Sequence, residues 1–140
     1  MARETDRPIQ NTDAAIGWTP QELSCKGRDE MIDINNRKFT ALQNSENGEV
    51  SSSTVFHYFQ KGSVVWAEYS GGDILTGHLL GTREGNELDF RYHHINTGYE
   101  KKAGTCRSVI TKRDTKVLLT ETWAWFGEDN AHGTSEVIEL

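Results

Sequence analysis

Strand patterning is clearest in Leu88-Asp89-Phe90-Arg91-Tyr92-His93-His94-Ile95-Asn96, where residue types alternate along the chain. In a β-strand, successive side chains point to opposite faces of the sheet. One face therefore carries Leu88, Phe90, Tyr92, His94 and Asn96, and the other carries Asp89, Arg91, His93 and Ile95. The first face begins apolar and ends polar. This gradient predicts a strand whose first half packs in a core and whose second half lines a pocket.

The segment Val117–Phe126 repeats this gradient. Its inward face is predicted to hold Val117, Leu119, Glu121, Trp123 and Trp125. Only one predicted strand separates this segment from Leu88–Asn96, so the inward side chains of the two can meet across the lumen of a closed sheet.

Residues 31–140 read as a series of strands separated by short turns. The predicted strands are Met31–Leu42, Val50–Gln60, Ser63–Ser70, Ile74–Thr82, Glu87–Asn96, Tyr99–Thr111, Val117–Phe126 and Gly133–Leu140. The links are too short for parallel crossovers, so they predict an antiparallel meander. Pairing the last strand with the first would remove both sheet edges.

We therefore predict a single all-β domain over residues 31–140, an eight-stranded antiparallel up-and-down β-barrel of the calycin, lipocalin-like type. A two-sheet sandwich is the alternative, but it usually needs Greek-key connections. Residues 1–30 lack strand patterning and predict a mostly irregular extension. Within it, Thr19-Pro20-Gln21-Glu22 matches a capping box and predicts a short helix over 20–26.

Charge and composition exclude several classes of function. Acidic residues outnumber basic ones by 21 to 15, which argues against binding to nucleic acid or to an anionic membrane. The two cysteines, Cys25 and Cys106, show no metal-binding spacing, and the first residues lack the apolar core of a secretion signal. We expect a soluble cytoplasmic protein with no nucleic-acid or membrane partner; dimerisation through an outer face stays open.

Glu121 is the most informative single residue. It lies on an otherwise apolar or aromatic face, where a carboxylate is costly to bury unless a partner stabilises it. The candidate partners are His94, Tyr92, Tyr58 and Ser108. If the protein is an enzyme, Glu121 and His94 are its predicted catalytic acid–base groups. The alternatives are a structural hydrogen-bond network that only fixes the register of the barrel, or a Glu121 side chain that faces outward.

Aromatic residues on the predicted inward faces could stack against a ligand. The register of the third strand stays open, with either Trp66 and Glu68 or Ala67 and Tyr69 facing inward. The predicted ligand-binding residues are Tyr58, Trp66, Tyr69, Phe90, Tyr92, His94, Glu121, Trp123 and Trp125. The alternative is that these rings simply fill the barrel.

No metal or cofactor is predicted. His93 and His94 are adjacent and point to opposite faces of their strand, so they cannot ligate one ion together. Metal-binding histidine spacings, the Gly-x-Ser-x-Gly nucleophile motif and glycine-rich phosphate loops are all missing from the sequence.

Four segments resemble a family of small, mostly bacterial proteins often labelled "N-acetylglutamate synthase". They are Asn47–Ser51, Val65–Gly72, Leu88–Asn96 and Glu121–Trp125, and the resemblance extends from about Arg37 to the C-terminus. The sequence lacks the Gln/Arg-x-x-Gly-x-Gly/Ala turn that binds acetyl-CoA pyrophosphate at a helix N-terminus. The resemblance therefore implies no catalytic residues.

Three hypotheses for the function follow. The first is a barrel that binds a small apolar or aromatic molecule through a hydrogen-bonding group near Glu121 and His94. The second is a cofactor-independent isomerase, cyclase or lyase in which these two groups move protons. The third is a structural or interaction module whose lumen is filled. A lumen volume of a few hundred Å³ would favour the first two.

Overall fold

The computed structural model describes residues 31–127 and 131–140, which form one closed antiparallel sheet. Its eight strands are β1 (Arg37–Asn44), β2 (Val55–Lys61), β3 (Val64–Gly71), β4 (Ile74–Glu84), β5 (Glu87–Asn96), β6 (Lys101–Arg113), β7 (Lys116–Trp125) and β8 (His132–Glu139). Each strand pairs with its neighbour in sequence, and β8 pairs with β1. The predicted up-and-down barrel is confirmed, and the sandwich alternative is wrong because a single sheet closes on itself.

The first two strands begin later than the sequence pattern indicated. β1 starts at Arg37, because the residues before it lead into the barrel end: Ile34 is fully buried and the Asn36 amide donates to the Tyr58 carbonyl (2.7 Å). β2 starts at Val55. Residues 45–54 form a loop between β1 and β2, which we call the capping loop.

The barrel has two different ends because successive strands alternate in direction. The capping loop lies at the same end as the turns at 72–73 and 97–100, and we call this the capped end. The opposite, packed end is filled by residues that are at most 1% exposed: Ile34, Phe39, Ile110, Val117 and Leu119. The Phe39 ring meets the Tyr58 ring edge-on, with centroids 5.2 Å apart.

A β-bulge in β4 changes which side chains enter the lumen. The register shifts between Ile74 and Thr76, so Leu75 is exposed although simple alternation with Leu79 would place it inside. Gly77 faces inward beside Tyr69. A Cβ atom at Gly77 would lie 2.5 Å from the Tyr69 ring and 2.7 Å from the Cβ of His94. Because Gly77 has no side chain, the Tyr69 ring can pack directly against the β4 backbone at this position.

The predicted helix over 20–26 and residues 128–130 of the last turn lie outside the described residues. Within the ranges that the structure describes, no helix is long and apolar enough to cross a membrane.

Candidate ligand site in the barrel lumen

A cavity of about 50 Å³ lies inside the capped end of the barrel. Gly48, Glu49 and Val50 of the capping loop close it from above. Inward side chains of the strands from β2 to β8 form its walls, and most of these side chains are apolar or aromatic. Protein sites for drug-sized ligands usually have volumes of about 300–1,000 Å³. With the capping loop in this position, the lumen is largely filled.

Glu121 lines this cavity between two serines. Ser108 on β6 and Ser135 on β8 stand directly opposite Glu121 on the neighbouring strands. The Ser135 hydroxyl donates to one carboxylate oxygen at 2.9 Å, and the Ser108 hydroxyl donates to the other at 3.1 Å. The described residues place no cation against this carboxylate. Glu121 is therefore held by neutral donors alone.

Burial dominates the ionisation of Glu121. Desolvation raises the pKa of its carboxyl to about 7, and the hydrogen bonds from Ser135 and Ser108 oppose this rise. The carboxyl is therefore partly protonated near neutral pH. In that form it can also donate a hydrogen bond to a group in the cavity.

His94 forms the centre of a second polar cluster, nearer the mouth of the barrel. Its Nε2 atom is 2.8 Å from a carboxylate oxygen of Glu49, and its Nδ1 atom is 3.0 Å from the Tyr69 hydroxyl. Because a carboxylate only accepts, Nε2 carries a hydrogen. Burial raises the pKa of Tyr69 and lowers the pKa of His94, while Glu49 opposes the latter shift. Tyr69 thus donates to a neutral imidazole, which donates to Glu49.

Further contacts fasten the capping loop over the cavity. The Asn96 side-chain amide donates to the second carboxylate oxygen of Glu49 at 3.0 Å, and the Lys102 ammonium lies 4.0 Å from the same atom. The Trp125 indole N–H donates to the Asn47 carbonyl at 3.4 Å. The side chain of Glu49 is only 22% exposed. Glu49 is therefore one of several attachments of the loop to the barrel, and it is the one that reaches the polar cluster around His94.

Most of the residues predicted to bind a ligand line the cavity. These are Tyr69, Phe90, Tyr92, His94, Glu121, Trp123 and Trp125. Tyr58 also faces inward, but it is packed on Phe39 and does not line the cavity. Whether any of them binds a ligand stays a prediction.

The placement of Trp66 in the lumen is wrong. Tyr58 stands opposite Ala67 and Phe56 stands opposite Tyr69, so Ala67 and Tyr69 face inward and Trp66 points outward. On the outer face, Trp66 stacks on Phe59 with ring centroids 5.9 Å apart.

The structure also gives different partners for the two predicted acid–base groups. Glu121 is hydrogen-bonded to Ser108, as one of the predicted pairings had it, and to Ser135, which was not predicted. No hydrogen bond joins Glu121 to His94, whose carboxylate partner is Glu49. Sequence reasoning missed Glu49 because it placed Val50 at the start of a strand. An acidic residue beside an apolar one in a turn, Glu49-Val50, was the available signal for a loop that folds inward.

Other reactive groups fall outside this arrangement. His93 is exposed, and its ring lies beside that of His78 on the outer face, so the predicted separation of His93 from His94 is confirmed. The described residues contain no group of three or more candidate ligands that could hold a metal ion. Burial raises the pKa of the free Cys106 thiol, which makes it a poor nucleophile.

Comparison with known proteins identifies the barrel. The family model described as avidin-like protein matches residues 32–140. No curated protein and no solved structure matches the chain. The family match supports the calycin-type barrel and gives no support to the synthase label or to a bacterial source. Because the match spans all eight strands, the chain belongs to the avidin-like protein family.

Proposed function

We propose that this protein binds a small molecule with an apolar or aromatic body inside the capped end of the barrel. The observation that carries the proposal is Glu121, whose carboxyl lines an otherwise mainly apolar cavity. Among the described residues, two serine hydroxyls are its only hydrogen-bond partners. A buried carboxyl that retains hydrogen-bonding capacity toward a cavity is suited to orienting one polar group of a ligand. An avidin-like barrel also suggests a small, biotin-like ligand.

The size of the cavity sets a condition on this proposal. A volume of about 50 Å³ holds little more than water, so a ligand must take the place of part of the capping loop. Val50 packs against the core, and Glu49 reaches to His94. Outward movement of these two side chains would enlarge the cavity toward the mouth of the barrel.

The proposal is tested by asking whether the protein retains a molecule that depends on Glu121. The wild type, Glu121→Gln and Glu136→Gln are purified under identical mild conditions, and small molecules released on denaturation are compared by mass spectrometry. Glu136 is a matched control because it faces outward on β8, opposite Thr120. We expect one molecule to be retained by the wild type and by Glu136→Gln and lost from Glu121→Gln. Biotin is the first compound to add in thermal-shift assays.

If no molecule is retained, and no biotin-like or aromatic compound raises the melting temperature, the proposal is wrong. The small cavity would then favour a filled barrel that acts as a structural or interaction module.

Acid–base catalysis is a second candidate function, and one observation favours it. The pKa of Glu121 is raised to about 7, which suits proton transfer near neutral pH. His94 is engaged at both ring nitrogens, so it could take part only after Glu49 moves away. Conversion of a retained molecule by the wild type but not by Glu121→Gln would distinguish catalysis from binding.

We also propose a homodimer formed through the outer face of β2–β4. Phe59, Trp66 and Leu80 lie side by side there on neighbouring strands, and Leu80 is 62% exposed. Light scattering on the wild type and on Leu80→Glu tests this arrangement. A dimer that becomes a monomer in the variant supports it, whereas equal masses contradict it.

A further inference from the structure

The cluster that holds Glu49 has the composition of a receptor for a carboxylate. His94 and Asn96 each donate one hydrogen bond to it, at 2.8 and 3.0 Å, and Lys102 brings a positive charge to within 4.0 Å. His94 and Asn96 are buried and belong to the rigid strand β5, whereas Glu49 belongs to a loop. The donors therefore lie on a strand of the barrel wall, whereas their acceptor comes from a loop outside the strands.

The donors are also held in place from behind. Tyr69 bonds the far nitrogen of the His94 ring. The Asn96 side-chain oxygen accepts the backbone N–H groups of Gly98 and Glu100, which fixes the direction of its amide nitrogen. Such support keeps a binding site in shape when its occupant leaves. The site would therefore still be a carboxylate receptor with Glu49 removed.

We propose that Glu49 occupies the site of a ligand carboxylate, so that the capping loop competes with the ligand for the barrel mouth. The ligand class is then a monocarboxylate with an apolar or aromatic body. Its carboxylate would bind His94, Asn96 and Lys102 in place of Glu49, and its body would extend along Tyr69 and Trp125 toward Glu121. This inference rests on the proposed lumen ligand and adds to it the chemistry of the outer end of that ligand.

Removing the internal competitor should strengthen binding of acids selectively. Glu49→Ala leaves the Nε2–H of His94 and one amide hydrogen of Asn96 without an acceptor, while the Asn96 amide still donates to Glu100 at 2.8 Å. A buried donor without an acceptor is costly unless a ligand replaces the lost partner. The probes are 3-phenylpropanoate and 3-phenylpropanamide, which share a body and differ in charge. By titration calorimetry, we expect the acid to bind Glu49→Ala about tenfold more tightly than the wild type, with a much smaller change for the amide.

Two further variants test whether the gain in affinity for the acid comes from vacating the site of the Glu49 carboxylate. Glu46→Ala removes an exposed carboxylate from the same loop and should behave as the wild type. In Glu49→Ala/Asn96→Asp, the turn still receives its acceptor oxygen, but the amide that donates to Glu49 and to Glu100 is replaced by a negative charge. We expect the gain in affinity for the acid to disappear in this double variant. If it persists, the receptor is not the one proposed.

The outcomes separate this inference from the proposed function. An equal gain for acid and amide would mean that Glu49→Ala only creates room, and it would overturn the carboxylate site alone. Binding of the amide that depends on Glu121, with no gain for the acid, would do the same. Failure of both probes to bind any of these proteins would overturn the carboxylate site, and the retained-molecule experiment would then decide the lumen ligand separately.

Discussion

The two ends of the barrel are built from the same strands but differ in the inward side chains that fill them. At the packed end, Phe39, Val117 and Leu119 are fully buried and meet other apolar groups. At the capped end, the same strands contribute His94, Glu121 and Trp125 around a cavity. Filling a lumen with aliphatic side chains favours stability, whereas polar groups there must be hydrogen-bonded at some cost. The contrast separates the apolar core at one end from the groups of the proposed binding site at the other.

The largest expected effect is the loss of stability when a buried ring is removed from the packed end. Phe39→Ala removes a fully buried ring that contacts Tyr58 edge-on. Because the surrounding strands can collapse only partly, the free energy of unfolding should fall by about 3–5 kcal/mol. Urea denaturation measures this loss. Leu140→Ala is the control, since its side chain is 59% exposed and its removal should change stability by less than about 0.5 kcal/mol. Similar losses for both variants would contradict the assignment of the core.

Ionisation of the buried Glu121 carboxyl should lower the stability of the folded protein as the pH rises. Its carboxyl has a folded-state pKa of about 7, against an ordinary value of 4.5. Between these values the unfolded chain releases the proton while the folded protein keeps it, so stability falls over this window and the loss is complete above pH 7. The total is about 3 kcal/mol.

The measurement is a urea titration at intervals from pH 4 to pH 8 for the wild type and for Glu121→Gln. The difference in unfolding free energy between the two should change by about 3 kcal/mol across the window, in favour of the variant at high pH. Glu136→Gln supplies the baseline for an outward carboxylate. A pH-independent difference would mean that Glu121 is better solvated than its surroundings indicate.

Replacement of Arg83 tests how much the packed end depends on the hydrogen bonds of one buried charged side chain. Its guanidinium is buried and donates to Gln60 (2.9 Å), Asn86 (3.0 Å) and the Gly85 carbonyl (2.8 Å). Arg83→Leu leaves these acceptors without a donor, so stability should fall by about 1–3 kcal/mol. Arg107→Leu should change it by less than about 0.5 kcal/mol, because the Arg107 side chain is 71% exposed. Comparable losses in thermal or urea unfolding would remove the distinction between the two arginines.

The sequence predicted the walls of the barrel better than its mouth. Alternation in β5 and β7 placed Phe90, His94, Glu121 and Trp125 correctly, because inward and outward faces are set by a period of two residues. It could not choose the register of β3, where both faces carry an aromatic residue, so Trp66 was included wrongly. It also missed Glu49, because no periodicity shows that a loop folds back into the lumen.

Gly77 tests how tightly the capped end is packed around the polar cluster. In Gly77→Ala, the added methyl group would press on the Tyr69 ring and the Cβ of His94. We expect a loss of about 1–3 kcal/mol, together with weaker attachment of the capping loop. Hydrogen exchange of the amides in residues 45–54 reports the second effect. Gly98→Ala is the control, because its nearest neighbour would be 3.4 Å away. Unchanged exchange in Gly77→Ala would show that the cluster is looser than described.

The smallest expected effect concerns the hydroxyl of Tyr69. Tyr69→Phe keeps the ring stacked on Phe56, with centroids 4.8 Å apart. It removes the hydroxyl that lies 3.0 Å from His94 Nδ1 and 3.4 Å from the His93 carbonyl oxygen. Stability should fall by about 1 kcal/mol. The pKa of His94 should rise, because the lost hydrogen bond favours the neutral imidazole. Imidazole resonances followed by NMR through a pH titration measure this shift, with Tyr99→Phe, an exposed tyrosine, as the control. An unchanged His94 pKa would mean that Glu49 and burial alone determine the pKa of the imidazole. The ionisation of the capped end would then depend on the capping loop more than on the side chains of the barrel wall.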